Sequence, residues 1–144
     1  MTKSALVNLF QRYLKAFKCY DLSTIKQCYH LPCTLHTPDK VAYLANESDF
    51  EQEILQIFTV LQQAKVSEIK ITKATYSESL NDAVDVCIDW VFIDENGEVF
   101  ADFCAFYHLT KVVQKFKITS VVSHELSNSV ELAENISVQL SNVK

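Results

Sequence analysis

The chain has 144 residues, a formal net charge of −5 at pH 7 and a hydrophobic content of 49%, which is typical of one globular domain. It shows no clustered Lys/Arg face of the kind that binds nucleic acid, which argues against that function. Gly97 is the single glycine, so a glycine-rich phosphate loop or dinucleotide fingerprint is excluded.

The first predicted element is an amphipathic helix over residues 4–18. Its apolar residues recur at spacings of three and four: Leu6, Leu9, Phe10, Tyr13, Leu14 and Phe17. Arg12 and Lys15 interrupt the apolar core that a signal peptide needs, and no run approaches the roughly 18 apolar residues of a membrane span. We therefore expect a cytoplasmic protein without membrane contact, whose five cysteines are reduced and mostly buried.

A second short helix and two short strands follow. Asp21 is a suitable N-cap for the helix LSTIKQCY, and Pro32 should end helical structure because it pushes the preceding residue toward extended geometry. The extended runs CTLHT and VAYLA come next. Ser48 and Glu51 then form a predicted capping box at the start of a third helix.

The C-terminal half of the domain is predicted to be a meander of strands. From about residue 67 the hydrophobic period changes from 3.6 to 2, which predicts strands over 68–79, 83–93, 99–111 and 115–126. The helices precede the strands, so the fold class is α+β, with three N-terminal helices on one face of a mostly antiparallel sheet. We expect one domain over residues 1–127. Residues 128–144 would be a polar C-terminal tail, either loose or docking a partner.

The Asn96-Gly97 turn predicts how the second and third of these strands pair. It places Trp90 opposite Phe103 and Val86 opposite Tyr107, on an apolar face that must lie under the helices.

The last hairpin has a weaker turn, Val-Val-Gln. If Lys111 opposes Phe116 there, Ser120 and His124 join the covered face beside Tyr107. An imidazole among aromatic rings under a helical lid is suited to general acid–base work. The alternative is a core histidine with one satisfied hydrogen bond.

These registers define a candidate pocket. Its predicted catalytic residues are His124, as acid–base, and Tyr107, as hydrogen-bond donor. The predicted ligand-binding residues are Trp90, Phe103, Tyr13, Cys33 and Ser120, although a tyrosine at the helical position of Tyr13 is more often a packing residue.

The opposite face of the sheet carries both charged and apolar residues. Asp85 is predicted to pair with His108, and a surface ion pair is favoured over a catalytic dyad because this face is the less apolar one. This face carries more apolar residues than a solvent-exposed sheet would, which predicts a homodimer interface. The apolar residues are Phe100, Phe106, Ile93, Val91 and Cys87.

The stretch CYHLPCTLHTPD (residues 28–39) concentrates cysteines and histidines. Cys28 lies on the predicted helix, whereas Cys33 and His36 have opposite parity on the strand, so their side chains point to opposite faces. Four ligands cannot converge as a structural zinc site requires. We expect no metal and no cofactor. A nucleophilic Cys33 would need an adjacent base and a lowered pKa.

The order of elements resembles the nuclear-transport-factor-2-like superfamily, with its SnoaL-like and ketosteroid-isomerase-like members, over residues 4–126. The resemblance rests on two N-terminal helices, the Tyr20-Asp21-Leu22 step, a strand pair ending near Thr37-Pro38-Asp39, a third helix and the meander. It implies a cone-shaped curved sheet, a pocket between sheet and helices, and dimers formed through the outer face. For isomerase members it also implies an Asp base inside the pocket. Asp85, Asp89 and Asp102 do not match that base, because they fall on the outer face.

Two functions follow as hypotheses. The first is a dimer whose pocket binds a small, largely apolar molecule, with lyase or isomerase chemistry at His124. The second is a non-catalytic interaction domain with a collapsed pocket. Fold alone does not separate them.

Overall fold

Three helices cover one face of a seven-stranded sheet in the computed structural model, which describes residues 2–138. The helices are α1 (Thr2–Cys19), α2 (Leu22–Cys28) and α3 (Glu47–Gln63). The strands are β1 (Tyr29–His36), β2 (Val41–Leu44), β3 (Val66–Glu78), β4 (Ala83–Asp94), β5 (Val99–Val112), β6 (Lys115–His124) and β7 (Glu134–Asn135). Their order is β2-β1-β6-β5-β4-β3-β7, with only β1 and β6 parallel. The predicted α+β class is confirmed.

The helix starts follow local capping chemistry. The Asp21 side chain accepts from the backbone N–H of Thr24 at 3.1 Å, as predicted. The cap of α3 is Asn46 rather than Ser48: its side chain accepts from the N–H of Asp49 at 2.9 Å. Asn is as good an N-cap as Ser, and its position two residues earlier makes α3 begin at Glu47, one residue before Ser48.

The core lies between the helices and the inner face of the sheet. All six of the predicted apolar residues of α1 are buried. The side chains of Phe10 and Ile25 have no exposed area, and Phe50 and Ile54 on α3 are 1% exposed. Among residues 2–138, no helix is long and apolar enough to cross a bilayer.

The β4–β5 hairpin keeps its predicted register. The inner-face pairs are Val84 with Leu109, Val86 with Tyr107, Ile88 with Ala105 and Trp90 with Phe103. Trp90, Phe103 and Tyr107 therefore share one face under the helices.

The turn of that hairpin differs from the predicted two-residue loop. Residues 95–97 form a three-residue loop in which Gly97 has a φ of +80°, a left-handed conformation that glycine adopts without strain. This loop pairs Ile93 with Val99 instead of Phe100, and a bulge at Phe100 then restores the predicted register from the Phe92–Ala101 pair onward. Phe100, the extra residue of the bulge, is therefore not on the outer face, where the sequence predicts it.

The β5–β6 hairpin starts as predicted, with Lys111 opposite Phe116. Its turn residues Val113 and Gln114 both have positive φ, 49° and 69°, the backbone of a type I′ turn without its usual Asn or Gly.

A bulge at Thr119 then changes the register of β6. His108 pairs with Ser120 and Cys104 with His124, where the prediction paired Tyr107 with Ser120 and Phe103 with His124. One extra residue in a strand turns all following side chains to the other face. The expectation that Ser120 and His124 face the helices is therefore wrong.

Residues 129–138, called the C-terminal segment below, pack against the sheet. The N–H of Leu132 donates to Thr75 Oγ1 at 3.0 Å, and the N–H of Ile136 donates to the Ala74 carbonyl at 2.9 Å. Ile136 and Val138 are buried, at 7% and 3% exposure. This part of the predicted tail is thus integral to the sheet; residues 139–144 lie outside the described residues.

Candidate functional site

A cavity of about 400 Å³ lies between the inner face of the sheet and helices α1 and α3. Its volume is in the range of small-molecule sites. Four residues of the predicted pocket line it: Tyr13, Trp90, Phe103 and Tyr107. Tyr29 at the start of β1 and Leu35 and His36 at its end line the cavity. The two ends of β1 pair with Ile118 and Val122 of β6, which are four residues or roughly 13 Å apart.

The inner end of the cavity holds a network of aromatic side chains with polar tips. The indole N–H of Trp90 donates to the Tyr107 hydroxyl at 3.0 Å, and the Tyr13 and Tyr29 hydroxyls are hydrogen-bonded at 3.0 Å. The Tyr13 and Tyr107 rings meet edge to face, with centroids 5.8 Å apart. We call these four residues the tyrosine network.

Each tyrosine of this network is held in its neutral form. Burial, followed by the charge of a neighbouring phenol, raises the pKa of Tyr13, Tyr29 and Tyr107 well above 10.0. The inner end therefore presents uncharged O–H groups to whatever occupies the cavity.

The outer end, or mouth, is polar and charged. Lys40, in the turn between β1 and β2, forms an ion pair with Glu53 of α3, with Nζ 3.0 Å from Oε2 and 3.2 Å from Oε1. His36, Thr37 and Ser123 also line this end. The cavity thus has apolar walls, a neutral hydroxyl network inside and one ion pair at its mouth.

Three predicted site residues lie elsewhere. His124 is exposed on the outer face, its ring 5.7 Å from that of Phe106. Ser120 also faces outward and accepts a hydrogen bond from Thr34 Oγ1 at 3.3 Å. Cys33 is 1% exposed and packs in the core without lining the cavity. Burial raises its pKa to about 11, the reverse of what a nucleophilic thiol requires.

Sequence reasoning missed several residues of the cavity. Tyr29 was assigned to the end of α2, but β1 begins at this residue and turns it inward. Ser123 takes the inward position predicted for its neighbour because of the bulge. Lys40 and Glu53 are 13 positions apart in a turn and a helix, and no local pattern connects them.

An ion pair on the outer face of the sheet lies away from the cavity. His108 Nδ1 lies 2.7 Å from Asp85 Oδ1, and both side chains are about half exposed, at 45% and 57%. This is the predicted outer-face pair. Among residues 2–138, no group of three or more His, Cys, Asp or Glu side chains is arranged to hold a metal ion.

Comparison with known families identifies the fold. Residues 4–126 match a family model described as NTF2-like protein (DUF6841). The match ends before the C-terminal segment. No curated protein matches the sequence.

Several solved structures share this architecture. An NTF2-like protein of unknown function from Shewanella oneidensis superposes with a TM-score of 0.69 at 17% identity, over 85% of this chain and 98% of that one. A putative ketosteroid isomerase from Shewanella frigidimarina gives 0.64 at 15% identity, over 81% and 92%. A cystatin-like protein of unknown function from Nostoc punctiforme gives 0.64 at 10% identity, over 84% and 88%. At such identities the likeness establishes the fold.

Proposed function

The chain belongs to the NTF2-like family DUF6841, and we propose that, within this fold, its cavity binds a small, largely apolar molecule carrying a hydrogen-bond acceptor. The aromatic walls supply the hydrophobic part of the binding free energy. The tyrosine network at the inner end supplies the polar contact.

A count of hydrogens in the tyrosine network carries this proposal. The network has four donor hydrogens, one on the Trp90 indole and one on each of three hydroxyls. Two hydrogen bonds join its members, one from Trp90 to Tyr107 and one between Tyr13 and Tyr29. The indole only donates, so the Tyr107 hydroxyl accepts from it and keeps its own hydrogen. The bond between Tyr13 and Tyr29 uses one of their two hydroxyl hydrogens. Two O–H hydrogens are therefore left for an acceptor outside the network, and all three tyrosines line the cavity.

The proposal is one of binding rather than of catalysis through His124. That imidazole is on the face of the sheet away from the cavity. Neutral hydroxyls that donate to a carbonyl oxygen fit a ketone or a related acceptor, which is the kind of group suggested by the ketosteroid-isomerase likeness.

A matched pair of ligands tests the proposal. 2-Acetylnaphthalene and 2-isopropenylnaphthalene have nearly the same size and a similar trigonal side group, but only the first has an acceptor oxygen. We expect both to raise the melting temperature, since stabilisation follows RT ln(1 + [L]/Kd). The ketone should bind about three- to tenfold more tightly, the value of one hydrogen bond.

Phenylalanine variants connect the preference to the network. A Tyr13→Phe, Tyr29→Phe double variant removes the O–H hydrogen left by that pair and should reduce the advantage of the ketone while leaving the hydrocarbon's affinity unchanged. Tyr43→Phe is the matched control, because Tyr43 is 65% exposed on β2. Absence of any stabilisation by either compound would contradict the proposal and favour a non-catalytic interaction domain.

We also propose that the protein forms a homodimer through the outer face of β5 and β6. Phe106 and Val122 are paired there and are only half buried. The interface would be smaller than the sequence predicts, because Phe100 lines the cavity mouth and Cys87 lies beneath the C-terminal segment. Sedimentation equilibrium should show a dimer that Val122→Asp dissociates with unchanged far-UV circular dichroism. A wild-type monomer at 100 µM rules the dimer out.

A further inference from the structure

The charges at the cavity mouth are arranged as a single neutral pair. Apart from tyrosine hydroxyls, the ionisable cavity-lining groups within residues 2–138 are His36, Lys40 and Glu53. The Glu53 side chain is only 15% exposed, whereas that of Lys40 is 52% exposed. A carboxylate this deeply placed needs its cation, because an uncompensated charge against apolar walls is strongly disfavoured.

Local structure fixes the cation in place. The N–H of Lys40 donates to Thr37 Oγ1 at 3.2 Å, and the N–H of Thr37 donates to the Lys40 carbonyl at 2.9 Å. These bonds close the β1–β2 turn and place the Lys40 backbone opposite α3. The turn that carries Lys40 is therefore held by hydrogen bonds, which keeps the lysine opposite Glu53.

We propose that the Lys40–Glu53 pair sets the charge selectivity of the cavity, so that it admits uncharged ligands and rejects anionic ones. This inference rests on the proposed binding function. A ligand carboxylate or sulfonate at the mouth meets a lysine whose charge Glu53 already neutralises, and it also approaches the glutamate. It loses its hydration and gains no net attraction.

The same geometry describes the outer end of the ligand. A carboxylate only accepts hydrogen bonds and has about four lone-pair sites, of which Lys40 uses part. Glu53 therefore suits a ligand hydroxyl, which donates without adding charge. Together with the O–H donors of the tyrosine network, this defines the ligand class: an uncharged, largely apolar molecule that carries an acceptor oxygen and a hydroxyl.

Two fluorescent probes with one aromatic body measure this selectivity. N-phenyl-1-naphthylamine is uncharged, and 8-anilinonaphthalene-1-sulfonate adds a single negative charge. We expect the wild-type protein to bind the uncharged probe at least about tenfold more tightly.

Variants that remove one charge test whether the Lys40–Glu53 pair causes the charge selectivity. Glu53→Gln frees the lysine and should strengthen binding of the anionic probe about tenfold, while the uncharged probe changes less than about twofold. Lys40→Met should make binding of the anionic probe weaker than in the wild-type protein. Glu95→Gln is the control, since it removes one partner of an exposed ion pair, Lys65–Glu95 at 3.6 Å, and should change neither affinity.

The outcomes separate the two proposals. If neither probe binds the wild-type cavity, the proposed function and this inference both fail. If both probes bind and Glu53→Gln leaves their affinity ratio unchanged, the charge-selectivity inference alone is overturned. A wild-type preference for the sulfonate overturns it as well. Unchanged affinity of the uncharged probe for the variant shows that the cavity has stayed folded.

Discussion

The same strands supply both faces of the sheet, but the side chains on the two faces are stabilised in different ways. On the inner face, Trp90, Phe103 and Tyr107 point inward, and the polar tips of Trp90 and Tyr107 are hydrogen-bonded to each other. On the outer face of those strands, Asp85 and His108 form a half-exposed pair. The inner face is therefore stabilised by burial and directed hydrogen bonds, whereas the outer face depends on what covers it.

The C-terminal segment provides part of that cover. Ser129 Oγ donates to Asp89 Oδ1 at 2.6 Å, and Lys73 Nζ lies 3.9 Å from the other carboxylate oxygen. Asp89 is only 9% exposed as a result. An acidic residue in the middle of the sheet is thus tolerated because Ser129 of the C-terminal segment donates a hydrogen bond to it.

The largest expected difference between the faces is in core packing. Phe10→Ala removes a ring with no exposed area that packs on Tyr107 with centroids 5.0 Å apart. We expect a loss of about 3–5 kcal/mol in the free energy of unfolding by urea denaturation. Phe106→Ala on the outer face should cost about 1 kcal/mol. Equal losses would show that the outer face is as fully buried as the inner one.

Alkaline pH should destabilise the inner side selectively. Burial raises the pKa of the Cys28 and Cys33 thiols from 9.0 to about 11. Between these values the unfolded chain loses protons that the folded chain keeps, so stability is complete below pH 9 and falls as the pH rises to 11. The expected loss is roughly 2 kcal/mol for each thiol.

Urea denaturation followed by circular dichroism at pH 8, 9, 10 and 11 measures this loss. A Cys28→Ala, Cys33→Ala double variant should be less stable at pH 8 but lose less on going to pH 11. Cys19→Ala is the control, because this thiol is exposed. A parallel decline in wild type and double variant would exclude the thiols as its cause.

A smaller effect is expected where the C-terminal segment covers the outer face. Ser129→Ala removes the hydrogen bond to Asp89 and should cost about 1–2 kcal/mol. Hydrogen exchange at the Leu132 and Ala133 amides, which donate to Thr75 and Ser77, should accelerate. Ser127→Ala, at an exposed position, is the control and should change neither quantity. Unchanged exchange in the Ser129 variant would mean that the segment is held by Ile136 and Val138 alone.

Most of the fold follows from periodicity and turn chemistry. The α1 helix, the Asp21 cap and the β4–β5 register all come from local signals. Gly97 indicated the correct turn even though the loop has three residues, because the compensating bulge at Phe100 restored the pairing.

The candidate site was less predictable because it depends on one inserted residue. Thr119 has no glycine or other bulge signal, and the Val121-Val122 doublet fits either register equally well. Once the bulge is present, each side chain after it changes face. Tyr29 and the Lys40–Glu53 pair were missed for a different reason, since they are brought to the cavity by tertiary contacts between β1, its turn and α3.

The smallest expected effect concerns two adjacent residues of β6. His124 is exposed on the outer face, and Ser123 lines the cavity. His124→Ala should change the free energy of unfolding by no more than about 0.5 kcal/mol and leave the affinity for 2-acetylnaphthalene unchanged. Ser123→Val replaces the hydroxyl with a methyl group and adds a second methyl group at the mouth, and it should change that affinity severalfold, measured by the same thermal shifts. The reverse result would require β6 to pair without the bulge at Thr119, which would bring His124 inside. Because the two variants differ by one position, they test the register itself, on which the separation of the two faces depends.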